Sequence, residues 1–188
     1  MLAGMSLLSW YRRLFPRPHP PEPAATRTAA EEGDADTQFA LGLKYSTGGE
    51  ASQDFVQAAR WYQKAADQNH ALAQFNLGLM LAKGEGVPAD DAKALVWIRK
   101  AAEGGDAGAQ HSLGTRYHRG SIDRLQMNSV ECRVEAFKWF SLAAAQGYRG
   151  SAAARDGIAL GMTREDVAEG NQRVATFASE RAGTARKQ

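Results

Sequence analysis

A segment that returns after 36 residues constrains this chain more than any other feature. Ala35, Gln38, Phe39, Leu41 and Gly42 come back as Ala71, Gln74, Phe75, Leu77 and Gly78. Trp61, Lys64, Ala65 and Ala66 come back as Trp97, Lys100, Ala101 and Ala102. A third copy opens on time with Ala107, Gln110, Leu113 and Gly114, but its second half, Trp139, Ala143 and Ala144, arrives six residues late. Self-similarity at a fixed period of this size marks a stack of like units, each burying its apolar side against its neighbours. Such stacks usually present a surface to other proteins, so the repeat points to a binding module without naming its partner.

Each unit reads as two helices. Phe39, Gly42 and Tyr45, then Phe75, Gly78 and Leu81, share a face through three-residue steps. Thr47-Gly48-Gly49-Glu50 and Lys83-Gly84-Glu85-Gly86-Val87-Pro88 stop the first helix. Asp54 and Asp90 are placed to cap the second, whose buried side is marked by Ala58, Trp61, Tyr62, Ala65 and Ala66 and again by Ala94, Trp97, Ile98, Ala101 and Ala102. Gly104-Gly105 and Gly147 end units two and three, where a left-handed residue costs least. Gly42, Gly78 and Gly114 fall inside first helices, each at a cost of about 1 kcal/mol against Ala. A cost repeated at equivalent positions implies a shared benefit. The expected one is close approach of two helix backbones, with an aromatic of the same unit over the crossing. Trp61, Trp97 and Trp139 are expected in the core.

These residues resemble the Sel1-like repeat, a relative of the tetratricopeptide repeat. Unit two carries the resemblance at Ala71, Phe75, Leu77, Gly78, Gly84, Gly86, Val87, Asp90, Lys93, Ala94, Trp97, Lys100, Ala101 and Ala102. It extends over about residues 34–148. It implies an all-α fold, a right-handed α-solenoid of two-helix repeats at about 34–69, 70–105 and 106–147, with a C-terminal cap over 148–182. The cap's last helix opens at Thr163-Arg164-Glu165-Asp166, a hydroxyl cap with a carboxylate three residues on. Val167, Ala168, Val174, Thr176 and Phe177 supply its packing face.

The resemblance also implies a function: a non-enzymatic adaptor or scaffold that binds a peptide or protein on the concave face lined by the first helices. The partner-binding positions it implies are Asp36, Leu43, Thr47, Leu72, Leu79, Lys83, His111, Thr115, His118 and Arg119. Phe39 and Phe75 fall on the same side, or in the core. Leu, Phe and basic residues together suit a peptide with an acidic end. Two departures stand out. His111 replaces the Phe of the earlier units. Six extra residues within Gly120–Cys132 are expected to make a longer loop beside the binding face.

Ahead of the repeats, residues 1–15 place Leu7, Trp10, Tyr11, Leu14 and Phe15 on one helical stripe, with Ser6, Ser9, Arg12 and Arg13 mostly on the other side and no acidic residue before Glu22. Such a helix suits an anionic membrane surface, a groove on a partner, or its own domain. It is too short to span a bilayer, and its basic residues follow the apolar stretch, unlike a secretory signal. A membrane-surface adaptor held by this helix is the alternative function. Residues 16–33 hold five of the six prolines and read as an extended linker.

Little else points to chemistry. Net charge is +2, and no basic face alternates with aromatics, so nucleic acid is not an expected partner. Cys132 is the only cysteine, so no intrachain disulfide forms and a cytoplasmic location is expected. Relatives described as β-lactamase-like look cysteine-rich, which sets that enzymatic branch aside. No GxSxG, HExxH, CxxC or Walker-type motif occurs. His111 and His118 lie seven apart, whereas metal pairs on a helix prefer four. No catalytic residue, metal or cofactor is expected.

Overall fold

The computed structural model describes residues 28, 30–48, 53–122 and 129–185. Leu7, Trp10, Tyr11, Leu14, Phe15 and the proline segment therefore lie outside the described residues. Regular structure among the described residues is helical throughout: α1 (Ala35–Thr47), α2 (Phe55–Asp67), α3 (Ala71–Lys83), α4 (Asp91–Glu103), α5 (Ala107–Ile122), α6 (Ser129–Ala145), α7 (Ser151–Ala159) and α8 (Arg164–Ala185). The chain falls into two compact units, residues 1–94 and 95–188, so the break lies within α4.

In the first unit α1 packs on α2, and α2 on α3. Acidic caps and left-handed glycines mark the helix ends. Asp34 accepts the Thr37 amide at 2.7 Å, and Asp54 accepts that of Gln57 at 3.0 Å. Gly48 and Gly84 close α1 and α3 in the left-handed region, at φ 76° and 72°. Asn69 does the same after α2 at φ 64°, where equivalent residues 33 and 105 are glycine. A buried amide adds a contact that period alone does not predict. Gln38 Nε2 donates to the Ala30 carbonyl at 2.9 Å, and Gln74 Nε2 to that of Ala66 at 3.1 Å. Each thereby brings a side-chain donor to a carbonyl near a helix end; that of Ala66 also accepts the Asn69 amide at 3.0 Å. Thr28 and residues 30–32, expected at the end of the extended 16–33 linker, are helical instead; no proline lies between Pro23 and Pro88, so nothing there bars a helix. Ala30 is fully buried, in the place that Ala66 takes one repeat later.

In the second unit α5 packs on α6, and α6 on both α7 and α8. Asp106 caps α5 through the Ala109 amide at 2.7 Å, and Gln110 Nε2 reaches the Ala102 carbonyl at 3.2 Å. Burial pushes the Asp106 carboxyl up, against the backbone amides that pull it down. Thr163 and Asp166 exchange side-chain-to-amide bonds at 3.1 and 3.2 Å, the expected capping box of α8. α8 is held to α6 by Arg173, which donates to Glu131 and Glu135 of α6 and also to Glu169 one turn away on its own helix. Its Gly170 lies against the Phe137 ring.

Four further expectations change. A ring, rather than a second backbone, fills the space beside the helical glycines. A Cβ on Gly42 would lie 2.5 Å from the Tyr62 ring, and one on Gly114 2.7 Å from the Phe140 ring. The residue after the tryptophan is thus the one that covers the glycine, and Tyr62 and Phe140 are buried. Trp139 is buried as expected, but Trp61 and Trp97 are half-buried. Lys64 and Lys100 sit 4.0 and 4.4 Å from the centroids of these half-buried rings. The six extra residues lengthen helices: α5 has 16 residues and α6 has 17, against 13 in each helix before them. The intervening stretch 123–128, outside the described residues, is no longer than 84–90. On α8, Ala168 and Thr176 are exposed, while Gly170 and Arg173 take the inward positions beside Val167, Val174 and Phe177.

Candidate functional site

The first helices carry the positions expected to meet a partner. On α1 and α3, Asp36, Leu43, Thr47, Leu72 and Lys83 are exposed, and Leu79 is half-buried. Leu43 and Leu72 leave 44% and 47% of their surface open to solvent. Helix geometry explains why: the opposite sides of α1 and α3 carry Leu41, Gly42, Leu77 and Gly78, all buried. Several polar members already have partners. Asp36 meets His70 Nε2 at 3.2 Å, Lys83 meets Glu85 at 3.6 Å, and the Thr47 hydroxyl donates to the Leu43 carbonyl at 2.9 Å. The Lys83–Glu85 ion pair is exposed and contributes little to stability.

His70 was not singled out by sequence. Its Nδ1 accepts the Ala73 amide at 3.2 Å and caps α3, which leaves the proton on Nε2, toward Asp36. Its ring stacks on Phe39 at 4.6 Å, and Phe39 meets Tyr62 at 5.8 Å. Phe39 is therefore a packing residue, half-buried between two rings. The signal for His70 was its position, 36 residues after Asp34 and 36 before Asp106.

On α5, Arg119 is exposed, and His111, Thr115 and His118 are half-buried. The Thr115 hydroxyl donates back to the His111 carbonyl at 3.0 Å. His111 Nδ1 shares a hydrogen bond with Ser151 Oγ at 2.8 Å, and its ring meets Phe140 and Tyr148 at 5.1 and 5.3 Å. Burial holds its imidazole below the ordinary 6.5. The departure from Phe thus keeps the aromatic contact and adds one polar bond.

The hydrogen-bonded Thr–backbone pairs join Leu43 to Thr47 and His111 to Thr115. Cys132 is buried, and burial pushes its thiol up, away from reactivity. Among the described residues, no group of three or more His, Cys, Asp or Glu is placed to hold a metal ion. No described helix is long and apolar enough to cross a membrane.

Comparison with known proteins agrees with this architecture. The family model described as Sel1 repeat matches residues 35–70, 71–106 and 107–148. Among solved structures, the chain is similar to a protective antigen present in uropathogenic Escherichia coli strains that displays an SLR fold. That similarity has a TM-score of 0.67 and 29% identity, over 82% of this chain and 32% of the antigen. It is also similar to a Sel1 repeat protein from Oxalobacter formigenes, with a TM-score of 0.59 and 31% identity, over 78% of this chain and 98% of that one. No curated protein matches.

Proposed function

The chain belongs to the Sel1-repeat family, and from that premise we propose that it is a non-enzymatic adaptor or scaffold that holds a peptide or protein against its first helices. The observation that carries this reading is the exposure of Leu43 and Leu72 on consecutive first helices, α1 and α3. Neither leucine is needed by the core beneath, which Leu41 and Leu77 fill. Lys83 and Thr47 supply polar groups on the same two helices. An apolar anchor with a polar surround is the usual arrangement of a small binding surface. We expect affinity in the micromolar range, about −8 kcal/mol. We place the module in the cytoplasm.

Affinity capture with the full chain tests the reading. The Leu43→Glu, Leu72→Glu double variant changes only exposed side chains and is expected to shift stability by roughly 0.5 kcal/mol or less per site. Partners captured by the parent are expected to disappear with the variant. A partner held equally by both places the contact elsewhere.

A further inference from the structure

Five positions recur, 36 residues apart, where a second helix meets the next first helix. Between α2 and α3 they hold Ala59, Gln63, Leu77, Met80 and Leu81. Between α4 and α5 they hold Leu95, Arg99, Leu113, Arg116 and Tyr117, which line a cavity of about 130 Å³. The floor is the same in both, a buried leucine at Leu77 or Leu113. The rim is not. Gln63, Met80 and Leu81 are replaced by two guanidinium groups and a phenol.

Arg99 Nη2 donates to the Tyr117 hydroxyl at 3.1 Å, which orients both groups at the mouth. The Tyr117 ring packs against the cluster of Ala136, Phe140 and Ile158, so its position is set by the core. Accepting from Arg99 leaves the Tyr117 proton to donate outward. Arg99 and Arg116 are exposed, and neither has a carboxylate partner among the described residues. α5 contains no Asp or Glu from Ala107 to Ile122. Elsewhere in this unit a guanidinium is matched: Arg173 is surrounded by three carboxylates.

We propose that this cavity anchors an acidic peptide. An aliphatic side chain of the peptide enters over Leu95 and Leu113, and a neighbouring carboxylate is held by Arg99, Arg116 and the Tyr117 hydroxyl. Charge complementarity selects the carboxylate, since two unmatched cations and a phenolic donor converge on one mouth. The apolar floor selects a peptide over a free anion, which has nothing to bury there. The inference rests on the protein-binding reading and adds the chemistry of the partner at a separate place.

The test uses the full chain and fluorescence polarisation with labelled octapeptides. One series carries a leucine flanked by glutamates. The controls replace the glutamates with glutamine, or the leucine with serine. The glutamate peptide is expected to bind, with each control at least about tenfold weaker, and binding is expected to weaken as salt is raised. Arg99→Gln and Arg116→Met install the residues that the α2–α3 positions already carry. Each is expected to lower affinity about tenfold with an unchanged melting temperature. Equal binding of glutamate and glutamine peptides, or indifference to both variants, overturns the proposal while leaving the Leu43 and Leu72 surface standing. Displacement by millimolar inorganic phosphate also overturns it, in favour of a simple anion site. If no peptide of either charge binds and the capture experiment also fails, the protein-binding reading falls with it.

Discussion

The helix pairs α1–α2 and α5–α6 share one internal contact and differ in what surrounds it. In both, a helical glycine lies under an aromatic ring of the partner helix, Gly42 under Tyr62 and Gly114 under Phe140. In both, a buried glutamine ties the first helix back to the preceding helix end. The tryptophan before the ring is where they part. Trp61 is half-buried beneath Lys64. Trp139 is 3% exposed, meets Phe177 of α8 edge-on at 5.5 Å, and donates to Glu135 at 3.1 Å. The same sequence position is thus a surface platform in one pair and a core residue in the other. The neighbour supplied by α8 makes the difference.

Truncating the two tryptophans tests this most severely. Trp139→Ala is expected to cost about 3–5 kcal/mol, because a buried ring leaves a cavity that its neighbours cannot fill. Trp61→Ala is expected to cost about 1 kcal/mol, in keeping with partial burial. Chemical denaturation of each variant gives the two values, and equal losses would remove the distinction.

A smaller effect separates glycines by sign. Gly114→Ala gains helix propensity of about 1 kcal/mol but drives a methyl into three Phe140 ring atoms, all within 3 Å. Overpacking against a buried ring costs about 1–3 kcal/mol, so net destabilisation is expected. Gly157→Ala meets nothing within 4 Å and is expected to stabilise by about 0.5–1 kcal/mol. Thermal melting reads both, and a stabilised Gly114→Ala would show that the ring yields.

The smallest effect concerns pH and the exchange of Phe39 for His111. The folded-state value for His111 lies below 6.5, so as pH falls through 6.5 the unfolded chain takes up a proton before the folded one. Stability is therefore expected to decline from that point downward, until the folded site is also protonated. His111→Asn keeps a polar partner for Ser151 and removes the titration. Its stability curve between pH 7 and 5 is expected to be flatter than the parent's, and parallel curves would place the acid sensitivity elsewhere.

Much of this architecture was legible in the chain. A recurring pattern reports on contacts made within a unit, because every copy makes them again. The helix pairs, the Asp54 and Asp90 caps, the glycine stops and the capping box of α8 all follow from residues whose partners are three or four positions away. The buried glutamines were visible as repeat matches, but their role was not, since a polar residue on an apolar face states no partner. The partner-binding positions could be placed on first helices, yet spacing did not reveal that Phe39 packs between rings or that Asp36 faces His70.

Tertiary structure decided whatever depends on atoms far apart in the chain. It determined which aromatic covers a glycine, because a ring one residue on from the tryptophan lies about 100° further round the helix. It showed how far each tryptophan is buried, because burial is set by the neighbour and not by the residue. It also gathered Leu95, Arg99, Leu113, Arg116 and Tyr117 around one cavity, where the sequence alone shows only scattered charge. Periodicity dictates the units of a repeat protein, while its distinctions lie in positions where one copy exchanges a neutral side chain for a charged one.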